Sequence, residues 1–294
     1  MGMKREPLAG DGLVLEVSDR PGPPPLRFEA ARGGRLLLRQ GGRPVLLGRM
    51  RGESCCRDLF LHRLGGFRSP LPPLRSAAMR SPVDWLHRYT RLLEDAEEGP
   101  LDEGRWHLAR RTVFEPGIWT EDLVRDWPGA RLELLCGGGW HGIVPLRPFS
   151  APDAPRVKAY RKHARDGTLA PVLLWWVSFL DGWLILDGHD RAVAALAEGG
   201  NPACVVLARA MPDEKWRRLA EQMTSGHEQH MARLAALPDT PGIARQRTAL
   251  ERGFGDAVAE VSYDHDATRT WPLPGAPVTW DALAAEVMFE CRSD

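Results

Sequence analysis

Leu184-Ile185-Leu186-Asp187-Gly188-His189-Asp190-Arg191, continued by Ala192-Val193-Ala194-Ala195-Leu196-Ala197-Glu198-Gly199, is the stretch on which the fold turns. Its apolar opening reads as a buried strand, and the alanine-rich run stopped by Gly199-Gly200 reads as a helix over Ala192–Glu198. The junction between them is polar and contains a glycine. It gathers the N–H groups of a helix N-terminus, the Arg191 guanidinium and the ionisable groups Asp187 and His189 at one strand end. Those are the parts that receive an anion such as a phosphate: aligned donors, a helix dipole of roughly half a positive charge, and a planar fork of N–H groups. Gly188 lets a ligand come close to the backbone. The same side chains also have internal uses. Asp187 can cap the helix, His189 can be a satisfied imidazole, and Arg191 can pair with Asp187 or Glu198.

Outward from this stretch, Pro171–Phe179 and Trp183–Leu186 are apolar runs joined by Asp181-Gly182, which predicts a β-hairpin. A helix over Ala154–Asp166, closed by Gly167, precedes them. Further upstream, Arg131–Cys136 and Gly142–Leu146 flank Gly137-Gly138-Gly139-Trp140-His141, which predicts a second hairpin with a flexible turn. That glycine run could cradle a phosphate, but no helix follows it to supply donors. Downstream come a strand over Ala203–Ala208 and a helix opened by Pro212-Asp213-Glu214, running to Met223 or, past Gly226, to Leu237. Residues 240–294 read as helix, proline-broken loop, and a last helix begun by Thr279-Trp280-Asp281. In the first 80 residues, short strands at Gly12–Val17, Arg35–Leu38 and Pro44–Leu47 lie between Pro- and Gly-rich punctuation, as in a small β-rich or partly mobile region. A helix over Ser81–Glu97 follows, with Ser81 as cap and Pro82 as first residue.

The string from Leu186 to Arg191, followed by its alanine-rich helix, resembles the Asp-Gly-His-His-Arg signature of the ParB/sulfiredoxin-like superfamily. The order of elements is similar too: a strand near Ile143–Leu146, a helix ending Asp166-Gly167-Thr168-Leu169, and a strand led by Pro171. The resemblance covers about residues 130–210. It implies a small α/β domain whose glycine junction binds nucleotide phosphates, in a superfamily that includes chromosome-partition proteins binding CTP and DNA, ATP-using sulfiredoxins, free-serine kinases and proteins labelled nucleases. Carried over position by position, Gly188 and Arg191 match phosphate-contacting positions, and Asp187 and His189 match polar positions at the pocket mouth. Asp190 replaces the usual second histidine. A carboxylate there repels a polyphosphate unless a metal ion lies between them, so it signals either a Mg²⁺-bridged site or a pocket that has lost its nucleotide. His189 stands where sulfiredoxins keep their nucleophilic cysteine, and the partition proteins' Gly-Glu-Arg-Arg junction is absent.

Composition narrows the field. The 294 residues carry 39 basic and 39 acidic side chains, a formal charge of zero. That zero hides a gradient, because residues 1–80 hold fifteen Lys/Arg against seven acids, whereas residues 250–294 hold nine acids against three arginines. Cys55, Cys56, Cys136, Cys204 and Cys291 are odd in number, scattered and without a CxxC pair, which predicts a reduced, cytoplasmic protein. Met1–Pro7 has no apolar run behind its charges, so secretion and acylation are not expected. The most apolar stretch, Val172–Leu186, is broken by Ser178, Asp181 and Gly182, short of the roughly 20 residues of a spanning helix, so no membrane segment is expected. His227 and His230, one turn apart, could share a metal only with a third ligand.

The expected class is therefore α+β: a ParB/sulfiredoxin-like mixed α/β core at 129–210, an irregular β-rich region at 1–128 and a mainly helical, acidic extension at 211–294. The junction and the resemblance together point to a nucleotide-binding enzyme. In that reading Gly188, Asp190 and Arg191 hold the phosphates of ATP or a related nucleotide, and Asp187 and Asp190 hold Mg²⁺. Asp187 or His189 then assists the proton of a small acceptor in phosphoryl transfer. Nuclease chemistry is less expected, because no further carboxylates join those two. The alternative is a non-catalytic regulatory protein, its pocket ligand-sensing or vestigial, with residues 1–80 contacting nucleic acid or a partner.

Overall fold

The computed structural model describes residues 2–8, 11–51, 58–80, 82–111, 114, 118–119, 130–134, 142–238, 240–261 and 267–287. They form a mixed α/β protein with two sheets. Seven strands make one: β1 (Gly2–Leu8), β2 (Gly12–Ser18), β7 (Gly104–Arg111), β9 (Ile143–Pro145), β10 (Val172–Val177), β11 (Gly182–Asp187) and β12 (Cys204–Arg209), in the order β1-β2-β7-β12-β10-β11-β9. Six make the other: β3 (Leu26–Ala31), β4 (Arg35–Gln40), β5 (Arg43–Arg51), β6 (Asp58–Arg63), β8 (Arg131–Leu134) and β13 (Thr270–Pro272), in the order β13-β3-β4-β5-β6-β8. The helices are α1 (Ser76–Arg80), α2 (Trp85–Glu94), α3 (Pro155–Arg165), α4 (His189–Ala197), α5 (Asp213–Ala235), α6 (Pro241–Val261) and α7 (Ala276–Glu286).

The chain divides into two compact units, residues 1–208 with 267–294, and residues 209–266. The boundary expected after residue 210 is close to the first division. β7, from the expected 1–128 region, and β12, from the expected 129–210 region, are neighbours in one sheet.

Alternation along the strands builds the layers of the larger unit. On β10, Leu173, Trp175 and Val177 face a core shared with Leu26, Phe28, Leu36, Leu38 and Leu61 of the six-stranded sheet. Val172 and Leu174 face the other way, into a cluster with Ile185, Val206 and Ala192 of α4. Both faces of this central strand are buried, which is why its sequence is a continuous apolar run rather than an alternating one. The six-stranded sheet repeats the device: Leu37 and Leu47 point away from the shared core and are covered by Trp280 and Ala284 of α7. The Trp280 indole N–H donates to the Leu36 carbonyl at 2.9 Å. The result is helices, sheet, sheet and helix in layers.

Several expectations change. β8 and β9 lie in different sheets, β8 antiparallel to β6 and β9 parallel to β11, so these two strands do not pair as a hairpin. Helix α2 starts at Trp85, because Asp84 is the cap: its Oδ1 accepts from the Leu86 and His87 N–H groups. The predicted hairpin β10–β11 is antiparallel as expected, with Asp181 in the left-handed region at φ 46°. Residues 120–124, 135–141 and four cysteines, Cys55, Cys56, Cys136 and Cys291, lie outside the described residues. Cys204 is buried, and burial pushes its thiol well above the ordinary range. Among the described residues no helix is long and apolar enough to cross a membrane.

The smaller unit is a helical pair. Helix α5 runs unbroken through Gly226 to Ala235, and the half-buried Trp216, Leu219, Met223, Met231 and Leu234 recur along one face of it. The His227 ring stacks on Phe254 of α6 at 4.2 Å, and His230 Nδ1 lies 3.2 Å from the Gly226 carbonyl.

Candidate functional site

At the glycine junction β11 runs into a helix, as expected, but α4 starts at His189 and not at Ala192, with Gly188 as its N-cap at φ 101°. No side chain caps the helix there. A Cβ at Gly188 would lie 2.6 Å from Arg191 Nη2 and 3.0 Å from its Nε, so the glycine makes room for a guanidinium of its own helix. Arg191 is 2% exposed. Its Nη2 donates to Asp187 Oδ2 at 2.7 Å and to the Tyr89 hydroxyl at 3.1 Å. Burial opposes its charge, but Asp187 and its hydrogen bond outweigh that and hold the guanidinium above its ordinary pKa. The Arg191 Nε is buried and has no hydrogen-bond partner.

Each remaining predicted residue has a definite place. The second oxygen of Asp187 accepts from Ser69 Oγ at 2.8 Å. Asp190, 5% exposed, accepts from Ser150 Oγ at 2.9 Å on Oδ1, is ion-paired there with Arg147 Nη2 at 3.0 Å, and faces Arg156 Nε at 3.6 Å on Oδ2. His189 lies between the rings of Phe67 and Phe149, at 6.0 and 5.8 Å, and its Nε2 accepts the Leu146 N–H at 3.1 Å. An imidazole that accepts at Nε2 is neutral and carries its proton on Nδ1. Burial first, then Arg147, Arg63 and Arg191, depress its pKa well below 6.5.

The structure thus brings Asp187, Gly188 and Arg191 together with Ser69 and Tyr89, and sets Asp190 among Ser150, Arg147 and Arg156. None of those five partners was singled out in the sequence. Ser69 is placed by Gln40, fully buried, whose side-chain amide donates to the Arg68 carbonyl at 2.7 Å while its oxygen accepts the Arg68 N–H at 3.0 Å. Tyr89 is placed by α2, and its hydroxyl donates to the Pro171 carbonyl.

Five of the fifteen basic residues in 1–80 are ion-paired within the fold. Arg27 and Arg39 pair with Glu29, Arg35 with Asp281, Arg43 with Glu98 and Arg5 with Glu94. Among the described residues, no group of three or more His, Cys, Asp or Glu is placed to hold a metal ion.

His189 and His107 make stability pH-dependent. Burial, then Arg105, lowers the His107 pKa to about 4. In the unfolded chain both imidazoles take up a proton near pH 6.5. Below that value the unfolded state binds more protons than the folded one. Their contribution is therefore complete above about pH 6.5 and is lost as the pH falls below it, for His107 down to about 4. The urea midpoint is expected to drop between about pH 7.5 and about pH 5, and His189→Asn to flatten that slope. An unchanged midpoint overturns this account.

No family model, curated protein or solved structure matches this chain. What the fold defines is a mixed α/β protein with two sheets and a glycine junction at a helix N-terminus.

Proposed function

We propose that this chain is a ParB/sulfiredoxin-like nucleotide-binding protein of the ligand-sensing kind, which holds the phosphates of its ligand at the β11–α4 junction. One observation carries the reading: a buried Arg191 Nε without a partner, lying over Gly188 where a helix begins with no side-chain cap. Buried donors are nearly always paired, and a phosphate oxygen is the acceptor that suits a guanidinium and a helix N-terminus alike. Arg147 and Arg156 add positive charge at the rim.

The residues do not fit Mg²⁺. Asp187 and Asp190 spend their oxygens on arginine and serine donors, and cations already flank both. His189 does not fit a proton-transfer role at Nε2, which the Leu146 N–H occupies. Ligand sensing therefore accounts for more of the geometry than phosphoryl transfer to a small acceptor does.

Calorimetry with ATP, CTP and GTP tests this, each in EDTA and in Mg²⁺. Binding is expected in EDTA, with no Mg²⁺-dependent loss of the γ-phosphate, and Arg156→Gln is expected to weaken it about tenfold, as for one charge-assisted contact. Absence of binding to all three overturns the reading. Mg²⁺-dependent transfer or hydrolysis replaces it with the phosphotransferase.

A further inference from the structure

The two guanidiniums at the rim of the junction turn inward. Arg156 is 58% exposed along its side chain, yet its Nε faces Asp190, and Arg147 closes on the same carboxylate. Asp190 lies in the first turn of α4, where the helix dipole favours an anion. Its Oδ1 accepts from a hydroxyl and its oxygens are ion-paired with two guanidinium groups, one of which, Arg156, donates its Nε hydrogen to the Tyr160 hydroxyl at 3.3 Å; a hydroxyl and two cations are also what a phosphate group attracts. The Arg191 Nε that carries the pocket reading, buried and without a partner while its Nη2 bonds Asp187 and Tyr89, sits in the same helix turn.

Resting on the nucleotide-pocket reading above, we infer that Asp190 is a built-in substitute for a ligand phosphate. In the ligand-free protein it occupies the anion seat, and an incoming polyphosphate must win Arg147 and Arg156 from it. Asp190 thereby sets the threshold of the pocket. It keeps the two arginines ordered and partnered without a ligand, and it lowers affinity for polyphosphates by its own negative charge. This gives the carboxylate at a position where the resembling signature has histidine a definite role: it tunes a phosphate site instead of bridging a metal to it.

The experiment compares wild type with Asp190→Asn, which removes the charge and can still accept from Ser150. Asp190→Ser is a second neutral variant should the first fail to fold. Each is titrated in EDTA with ATP and with inorganic tripolyphosphate, so that a nucleotide is distinguished from a bare polyphosphate. The expected result is a gain in ATP affinity of at least about tenfold, or ~1.4 kcal/mol, in either variant. Wild-type binding of ATP with equal or weaker binding by the neutral variants overturns the inference and leaves the pocket reading standing. No binding by wild type or by either variant overturns both. A gain for tripolyphosphate equal to the gain for ATP supports the inference and shows that the seat reads phosphate alone.

Discussion

Arg191→Met is expected to destabilise the protein by about 3–5 kcal/mol, the cost of removing one partner from a buried ion pair. The guanidinium is almost fully enclosed and bonds both Asp187 and the Tyr89 hydroxyl through one nitrogen. Without it, Asp187, its side chain 14% exposed, keeps Ser69 as a donor at 2.8 Å. Burial already pushes the Tyr89 phenol well above its ordinary pKa, so it stays neutral and cannot replace the lost charge interaction. Methionine fills most of the volume, so the loss is electrostatic rather than a cavity. Urea denaturation measures it, and the double variant Asp187→Leu with Arg191→Met should recover part of the loss, because replacing both charges removes the uncompensated one. A single-variant loss below about 1 kcal/mol would mean that the pair is effectively solvated.

That prediction concerns a contact which the local sequence offered only as one of several. Asp187 and Arg191 are four residues apart around a glycine, so their pairing was among the possibilities from the start. Ser69 and Tyr89 are not visible as their partners, because they arrive from 118 and 102 residues away and the helical period of Tyr89 marks only a buried face. The strands around β10 were legible for the opposite reason: a long apolar run and an Asp-Gly turn are local signals, and the turn fixes the antiparallel pairing of β10 with β11. Residues 131–146 misled because two short apolar runs around glycines carry the same local signal whether or not they pair. Their sheets are chosen by distant partners, Leu59 opposite Leu134 and Trp183 opposite Ile143. At α2 two acceptable caps compete three residues apart, and Asp84 is the one whose oxygen reaches the helix N–H groups. Charge misled in a similar way, since a count along the chain cannot show which carboxylate each arginine faces.

Glu29→Ala is expected to cost about 3–5 kcal/mol for that reason, comparable to the loss at Arg191. Arg27 and Arg39 are directly opposite each other across β3 and β4, an arrangement of like charges that destabilises a sheet. Glu29, 1% exposed, lies between them: Arg27 Nη2 approaches Oε1 at 2.5 Å and Arg39 Nε donates to Oε2 at 2.9 Å. One buried carboxylate therefore makes two half-buried cations tolerable. Alanine leaves both unpaired, with only the Pro24 and Gly42 carbonyls as remaining acceptors for their Nη1 groups. Glu29→Gln should lose less, because its amide oxygen still accepts one hydrogen bond. The same substitution tests what the basic first quarter of the chain is for. If its arginines serve the fold, wild type should show no salt-sensitive retention on immobilised duplex DNA, and Glu29→Gln, with Arg27 and Arg39 no longer neutralised, should retain more strongly. A stability loss under about 1 kcal/mol for Glu29→Ala, or strong salt-sensitive retention of wild type, would return these arginines to a surface role.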